Sequence, residues 1–177
     1  MKTIAVFGSS SVNPGTPEYT DAYDVGRALG QAGFAVMTGG YGGIMEATSK
    51  GASEAGGRVI GISSAPIERL RQTGVNAWVE EVVSYNTLSE RLMHLVLHAD
   101  GYVVMPGGVG TFVELLLAWE LVRVKELPMR PLICFGTYWG DMLEPLRQKP
   151  YVAAKYWDVL LTTDSPDTLI DILRAKA

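Results

Sequence analysis

Residues 105–114 read MPGGVGTFVE, in which three glycines, a threonine and a carboxylate separate two apolar runs. Glycine lets backbone N–H groups come close to a ligand, and the positive end of a helix starting behind them favours an anion. The segment therefore suits a phosphate held beside the Glu114 acid. Two further clusters, FGSSSVNPG at 7–15 and TGGYGGIME at 38–46, have the same character. Gly8, Ser9 and Ser10 in the first, and Gly39, Gly40, Gly43 and Met45 in the second, join Gly107, Gly108, Gly110 and Thr111 as candidate phosphate or nucleotide contacts. No cluster continues into the Gly-Lys-Ser/Thr of a P-loop, so triphosphate hydrolysis lacks its main γ-phosphate contact. The dinucleotide pattern also fails, because Val113 stands where its third glycine belongs. ATPase and NAD-dependent dehydrogenase chemistries are disfavoured on these grounds.

Distant clusters need a scaffold that brings them together. Short apolar runs rich in β-branched residues occur at 3–8, 34–40, 58–63, 77–83, 101–108 and 131–136, with a further one at 159–163. Their near-continuous hydrophobicity predicts strands of a parallel sheet covered on both faces. Helix-like segments alternate with them, two ending at Gly33 and at Gly56-Gly57 as helices end at a C′ glycine. This rhythm predicts an α/β fold: one Rossmann-like, doubly wound parallel sheet flanked by helices, a single domain over 1–177. Ligands of such sheets bind at the carboxyl ends of the strands, where all three clusters lie. Residues 64–77 are the loosest stretch and are expected to form a mobile loop.

Composition narrows the partners. A chain of 177 residues with 47% apolar and 19% charged residues is globular and long enough for a sizeable core. A net charge of −4 provides no broad cationic face, which argues against nucleic acid and anionic membranes as partners. The single cysteine, Cys134, lies in an apolar strand and has no disulfide partner. No segment approaches the roughly 18 apolar residues of a membrane span, and no signal-peptide core is present. A cytoplasmic protein is expected.

PGGVGTFVE at 106–114 resembles the PGGxGTxxE signature of the LOG ("lonely guy") family, cytokinin-activating nucleoside 5′-monophosphate phosphoribohydrolases long labelled possible lysine decarboxylases. GGYGGIM at 39–45 resembles that family's GGxxGxM loop, and VFGSSSVNPGTPEY at 6–19 its opening strand and loop. The resemblance spans roughly 3–165. It implies hydrolysis of a nucleoside 5′-monophosphate to free base and ribose 5-phosphate, a homodimer with its site near the interface, and no metal or organic cofactor. It also implies a catalytic arginine in the helix before the PGG strand, which SERLMHL at 89–95 places at Arg91. Two positions depart from the family pattern: Leu92 follows the arginine where lysine is usual, and Val113 precedes Glu114 where glutamate is frequent. Relatives of this fold also include carriers of nucleotide-like ligands such as molybdenum cofactor, which makes a non-catalytic binding protein the alternative.

Breaking an N-glycosidic bond passes through an oxocarbenium-like transition state. It needs a phosphate anchor, a carboxylate near the anomeric carbon and a group to orient the sugar. The backbone N–H groups of Gly107, Gly108 and Gly110 with the Thr111 hydroxyl supply the first. Glu114 supplies the second, as base, nucleophile or electrostatic stabiliser. Arg91 supplies the third, and its charge is expected to keep Glu114 ionised. A competing structural role exists: Thr111-x-x-Glu114 and Thr87-x-x-Glu90 both fit a capping box.

Other residues carry less. His94 and His98 sit four apart but lack a third ligand and the glutamate of H-E-x-x-H, so they are expected as helix-surface or interface residues rather than a metal site. None of the six lysines falls in the glycine clusters, which argues against pyridoxal-dependent decarboxylation. The helix after Glu114, LLLAWELVRV, is apolar almost all round, so a homodimer packed through it is expected.

Overall fold

The computed structural model describes residues 1–177 as an alternation of strands and helices. The strands are β1 (Thr3–Phe7), β2 (Ala35–Thr38), β3 (Val59–Ser64), β4 (Glu81–Tyr85), β5 (Gly101–Val104), β6 (Leu132–Phe135) and β7 (Leu160–Thr163). The helices are α1 (Pro17–Gln31), α2 (Ile44–Glu54), α3 (Ala65–Arg71), α4 (Leu88–Leu97), α5 (Val109–Arg123), α6 (Tyr138–Arg147), α7 (Ala154–Trp157) and α8 (Pro166–Lys176). All strand pairs are parallel, in one sheet of order β4-β3-β2-β1-β5-β6-β7. The chain builds outward from β1 through β4, then returns to lay β5 on the other side of β1. That reversal opens a crevice at the carboxyl ends of β1 and β5, the usual ligand position in a doubly wound sheet.

Both faces of the sheet are covered, which accounts for the largely apolar, fully buried central strands β2, β5 and β6. One core joins Val25 and Leu29 of α1, Ile44 of α2 and Leu169 of α8 to Ile4, Val36 and Val103. The other joins Leu95 of α4, Leu115 and Trp119 of α5, and the α6 and α7 tryptophans Trp139 and Trp157 to Ala5, Met37 and Val104. The predicted helix stops hold: α1 and α2 end just before Gly33 and Gly56, both at positive φ.

Two sequence expectations require correction. The strand predicted at 77–83 begins at Glu81, because Asn76 anchors a turn first. Its side-chain amide donates to the Gly40 and Tyr41 carbonyls (3.1 and 2.9 Å) and its Oδ1 accepts from Trp78 N–H (3.1 Å). The loop predicted at 64–77 contains α3, a seven-residue helix with Pro66 in its first turn and Gln72 ending it in the left-handed region. No residue of α3 is buried.

Candidate functional site

The carboxyl ends of β1, β2 and β5 bring the three glycine clusters together, and the backbone interlocks them. Ser9 N–H donates to Pro106 O (3.0 Å), and Ile44 N–H donates to Ser9 O (2.8 Å). A Cβ at Gly43 would collide with the Ser9 carbonyl, and one at Gly8 with the Ile44 side chain. The first two loops can meet this closely only because both positions lack side chains. From behind, α6 holds the third loop: Tyr138 Oη donates to Gly107 O (2.9 Å) and Trp139 Nε1 to Met105 O (3.0 Å).

These loops enclose a cavity of about 260 Å³. Of the candidate residues, Gly8, Ser9, Ser10, Met45, Arg91, Gly108, Gly110, Thr111 and Glu114 line it. Gly39, Gly40, Gly43 and Gly107 do not; they stand one layer behind. Gly39 lies beneath Arg91, where a Cβ would collide with Nη2, and Gly107 lies against the Thr111 side chain. Gly40 packs on Gly61 and Val75. These glycines shape the wall, and the residues in front of them face the cavity.

The start of α5 departs from the capping box that Thr111 and Glu114 suggest. Gly108 is the N-cap, no side chain caps the helix, and Thr111 already lies within its first turn. The first-turn N–H groups therefore lack intrahelical acceptors, and they belong to residues that line the cavity. Released from capping, Glu114 points to α4. Its Oε1 lies 3.4 Å from Arg91 Nη1, and Arg91 Nε donates to Ile62 O at 2.9 Å. Both partners are buried, at 4% exposure for Arg91 and 7% for Glu114. The sequence places Arg91 inward because the Thr87–Glu90 capping box does form and fixes the start of α4.

Burial and the arginine act on Glu114 in opposite directions, and burial prevails. Desolvation pushes the carboxyl up to about 7, while the Arg91 charge and hydrogen bond pull it down without cancelling the effect. Arg91 thus favours the ionised form, as expected, but burial outweighs it, so the arginine alone does not keep Glu114 ionised. An acid of this kind gains and loses a proton near neutrality, which suits proton transfer.

The cavity also takes Ser11, Tyr41, Ile67, Arg71 and Val109, none of which was a predicted contact. Tyr41 lies buried among glycines that read as loop. Its ring sits beneath both Arg71 (5.3 Å) and Arg91 (5.8 Å). Ile67 and Arg71 come from α3, which the sequence signals through Ser64 and Pro66, an N-cap residue and a first-turn proline.

Residues away from the cavity fall into place structurally. His94 and His98 stack at 4.2 Å, and His94 Nδ1 lies 2.7 Å from Tyr85 Oη. Burial and the neighbouring His98 lower the His94 pKa. Cys134 is buried in β6, and desolvation pushes its thiol up to about 12. Along α5, Val109, Val113 and Leu116 form an exposed apolar stripe beside the cavity, with Val109 83% exposed. No helix is long and apolar enough to cross a membrane.

Comparison with known proteins finds relatives of the chain and of its fold. Cytokinin riboside 5′-monophosphate phosphoribohydrolase LOG5 of Arabidopsis thaliana is 34% identical over 144 residues, covering 78% of this chain and 61% of its own length. The chain thus spans about three fifths of the curated plant relatives it matches. The X-ray structure of TM1055 has the same fold, with a TM-score of 0.78 and 25% identity over 99% of each chain. So does the molybdenum cofactor binding protein from the phototrophic bacterium Rippkaea orientalis, with a TM-score of 0.75 and 22% identity over 98% of this chain and 96% of that one. The SLOG cluster4 pattern matches residues 1–127, a span that holds all three glycine clusters, Arg91 and Glu114, and the chain belongs to that family.

Proposed function

We propose that this protein hydrolyses the N-glycosidic bond of a purine or cytokinin-like nucleoside 5′-monophosphate, releasing the free base and ribose 5-phosphate. The observation that carries this reading is the buried Arg91–Glu114 pair, set in one cavity with the uncapped start of α5. The first-turn N–H groups and Thr111 bind the 5′-phosphate. Glu114 faces the ribose, where its carboxylate stabilises the developing positive charge or takes a proton from the attacking water. The water oxygen bonds to C1′, the C1′–N bond breaks, and a proton ends on the departing base. Arg91 holds the carboxylate in place as a planar fork fixed by Ile62 O.

The relatives named for this activity support the assignment. In this reading the chain is a single nucleotide-binding domain, works in the cytoplasm and uses no metal or organic cofactor. It pairs as a homodimer through the apolar stripe of Val109, Val113 and Leu116. Light scattering at micromolar concentration then gives twice the chain mass, and a monomer rejects the pairing. The central test incubates the protein with nucleoside monophosphates and the matching nucleosides and measures released base. Release from monophosphates only is the expected result. Tight binding with no release would instead assign the protein as a carrier.

A further inference from the structure

The two arginines of the cavity differ in what holds them. Arg91 is buried, ion-paired to Glu114 and donating to Ile62 O. Arg71 is exposed on α3 and belongs to none of the four ion pairs of the chain. It donates to the Ser10 hydroxyl at 2.6 Å and lies 5.3 Å from the centre of the Tyr41 ring. Ile67 and Arg71, four residues apart, share one face of α3, and both line the cavity. Glu114 is the cavity's only carboxylate, so Arg71 leaves the lining with uncompensated positive charge.

The geometry points to Arg71 as the residue that selects a 5′-phosphorylated ligand over its unphosphorylated nucleoside. This rests on the proposed nucleotide site and adds a determinant outside the glycine loops. A hydroxyl and an aromatic face hold the guanidinium at the cavity without neutralising it. A phosphate oxygen that replaces the Ser10 hydroxyl exchanges a neutral hydrogen bond for a charge-assisted one. A nucleoside offers no such oxygen, so it leaves Arg71 on Ser10. Because α3 buries no residue of its own, it can follow Arg71 onto the ligand at little packing cost.

The test measures binding of AMP, ribose 5-phosphate and adenosine by calorimetry for the wild type, Arg71→Ala and Arg71→Lys, with turnover of AMP alongside. In Arg71→Ala, AMP and ribose 5-phosphate bind roughly 10- to 100-fold more weakly, the range expected for a lost charged hydrogen bond. Adenosine binding changes less than about twofold, and KM for AMP rises more than kcat falls. Arg71→Lys recovers part of the affinity, since charge survives and the fork does not. Equal weakening of AMP and adenosine, or no change in any ligand, overturns the assignment. A wild type that binds AMP without releasing adenine defeats the hydrolysis reading alone, and the same affinities still decide the role of Arg71. A wild type that binds neither phosphorylated probe defeats both. Thermal melting checks the fold, and an unchanged midpoint is expected for so exposed a side chain.

Discussion

At the start of α4 the Glu90 carboxylate accepts from the Thr87 N–H (3.1 Å) and hydroxyl (2.6 Å), and both residues are exposed. At the start of α5 the same spacing joins Thr111 and Glu114, yet Glu114 meets Arg91 and both are buried. The difference lies in where each helix begins. Thr87 is itself the N-cap of α4, whereas Gly108 takes that position in α5 and moves Thr111 into the first turn. A carboxylate three residues beyond a threonine completes a cap only when the threonine is the N-cap. With the helix begun earlier, the carboxylate reaches a buried neighbour and the helix start stays open for a ligand.

The contrast is sharpest in activity. Glu114→Gln is expected to fold and to lose about 10²- to 10⁴-fold in turnover, the range for a displaced proton-transfer group. Glu90→Gln, which preserves the box, is expected to keep wild-type turnover. Initial rates of base release check both, and equal rates in the two variants would erase the distinction.

Stability should separate the two carboxylates next. Burial raises Glu114 from its ordinary 4.5 to about 7, so the folded state favours the protonated acid. Its contribution is fully present below pH 4.5 and is lost as the pH rises through 7, on the order of 3 kcal/mol in total. Denaturant unfolding of the wild type and Glu114→Gln across this window measures the slope. Parallel curves for the two proteins would reject the raised pKa. In the same interval kcat/KM is expected to climb with pH, because the proposed role needs the carboxylate. A flat profile would exclude Glu114 as the ionising group.

The smallest effect belongs to the cap itself. Thr87→Ala removes an acceptor for Glu90 N–H (3.2 Å) and is expected to cost about 1 kcal/mol. Activity falls only if the start of α4 shifts enough to move Arg91. Thermal melting with steady-state kinetics on the same sample distinguishes the two results.

The strands were legible in the sequence because a sheet covered on both faces demands unbroken apolar runs, and six of the seven begin within two residues of their predicted starts. β4 escaped because its predicted start belongs to the turn held by Asn76, and its exposed Glu81 and Val82 lack the alternation of a half-buried strand. The glycine clusters were legible because close backbone approach leaves few other residue types. Arg91 became visible only through family resemblance, since an isolated arginine on a helix usually faces water. Tyr41 and Arg71 were hidden for different reasons: one stands among glycines, the other on a helix with no buried stripe. The raised pKa of Glu114 was out of reach, because it follows from the burial of that carboxyl in the folded chain.

Every residue lining the cavity lies between positions 8 and 114, yet Tyr138 and Trp139 grip the third loop from beyond that span and from beyond the matched family pattern. A chimera that grafts residues 1–127 onto a different carboxyl-terminal third would inherit the whole lining and lose that grip. The Met105 and Gly107 carbonyls would then have to find water or new donors. The shape of the third loop thus depends on two aromatic donors that lie outside the cavity lining.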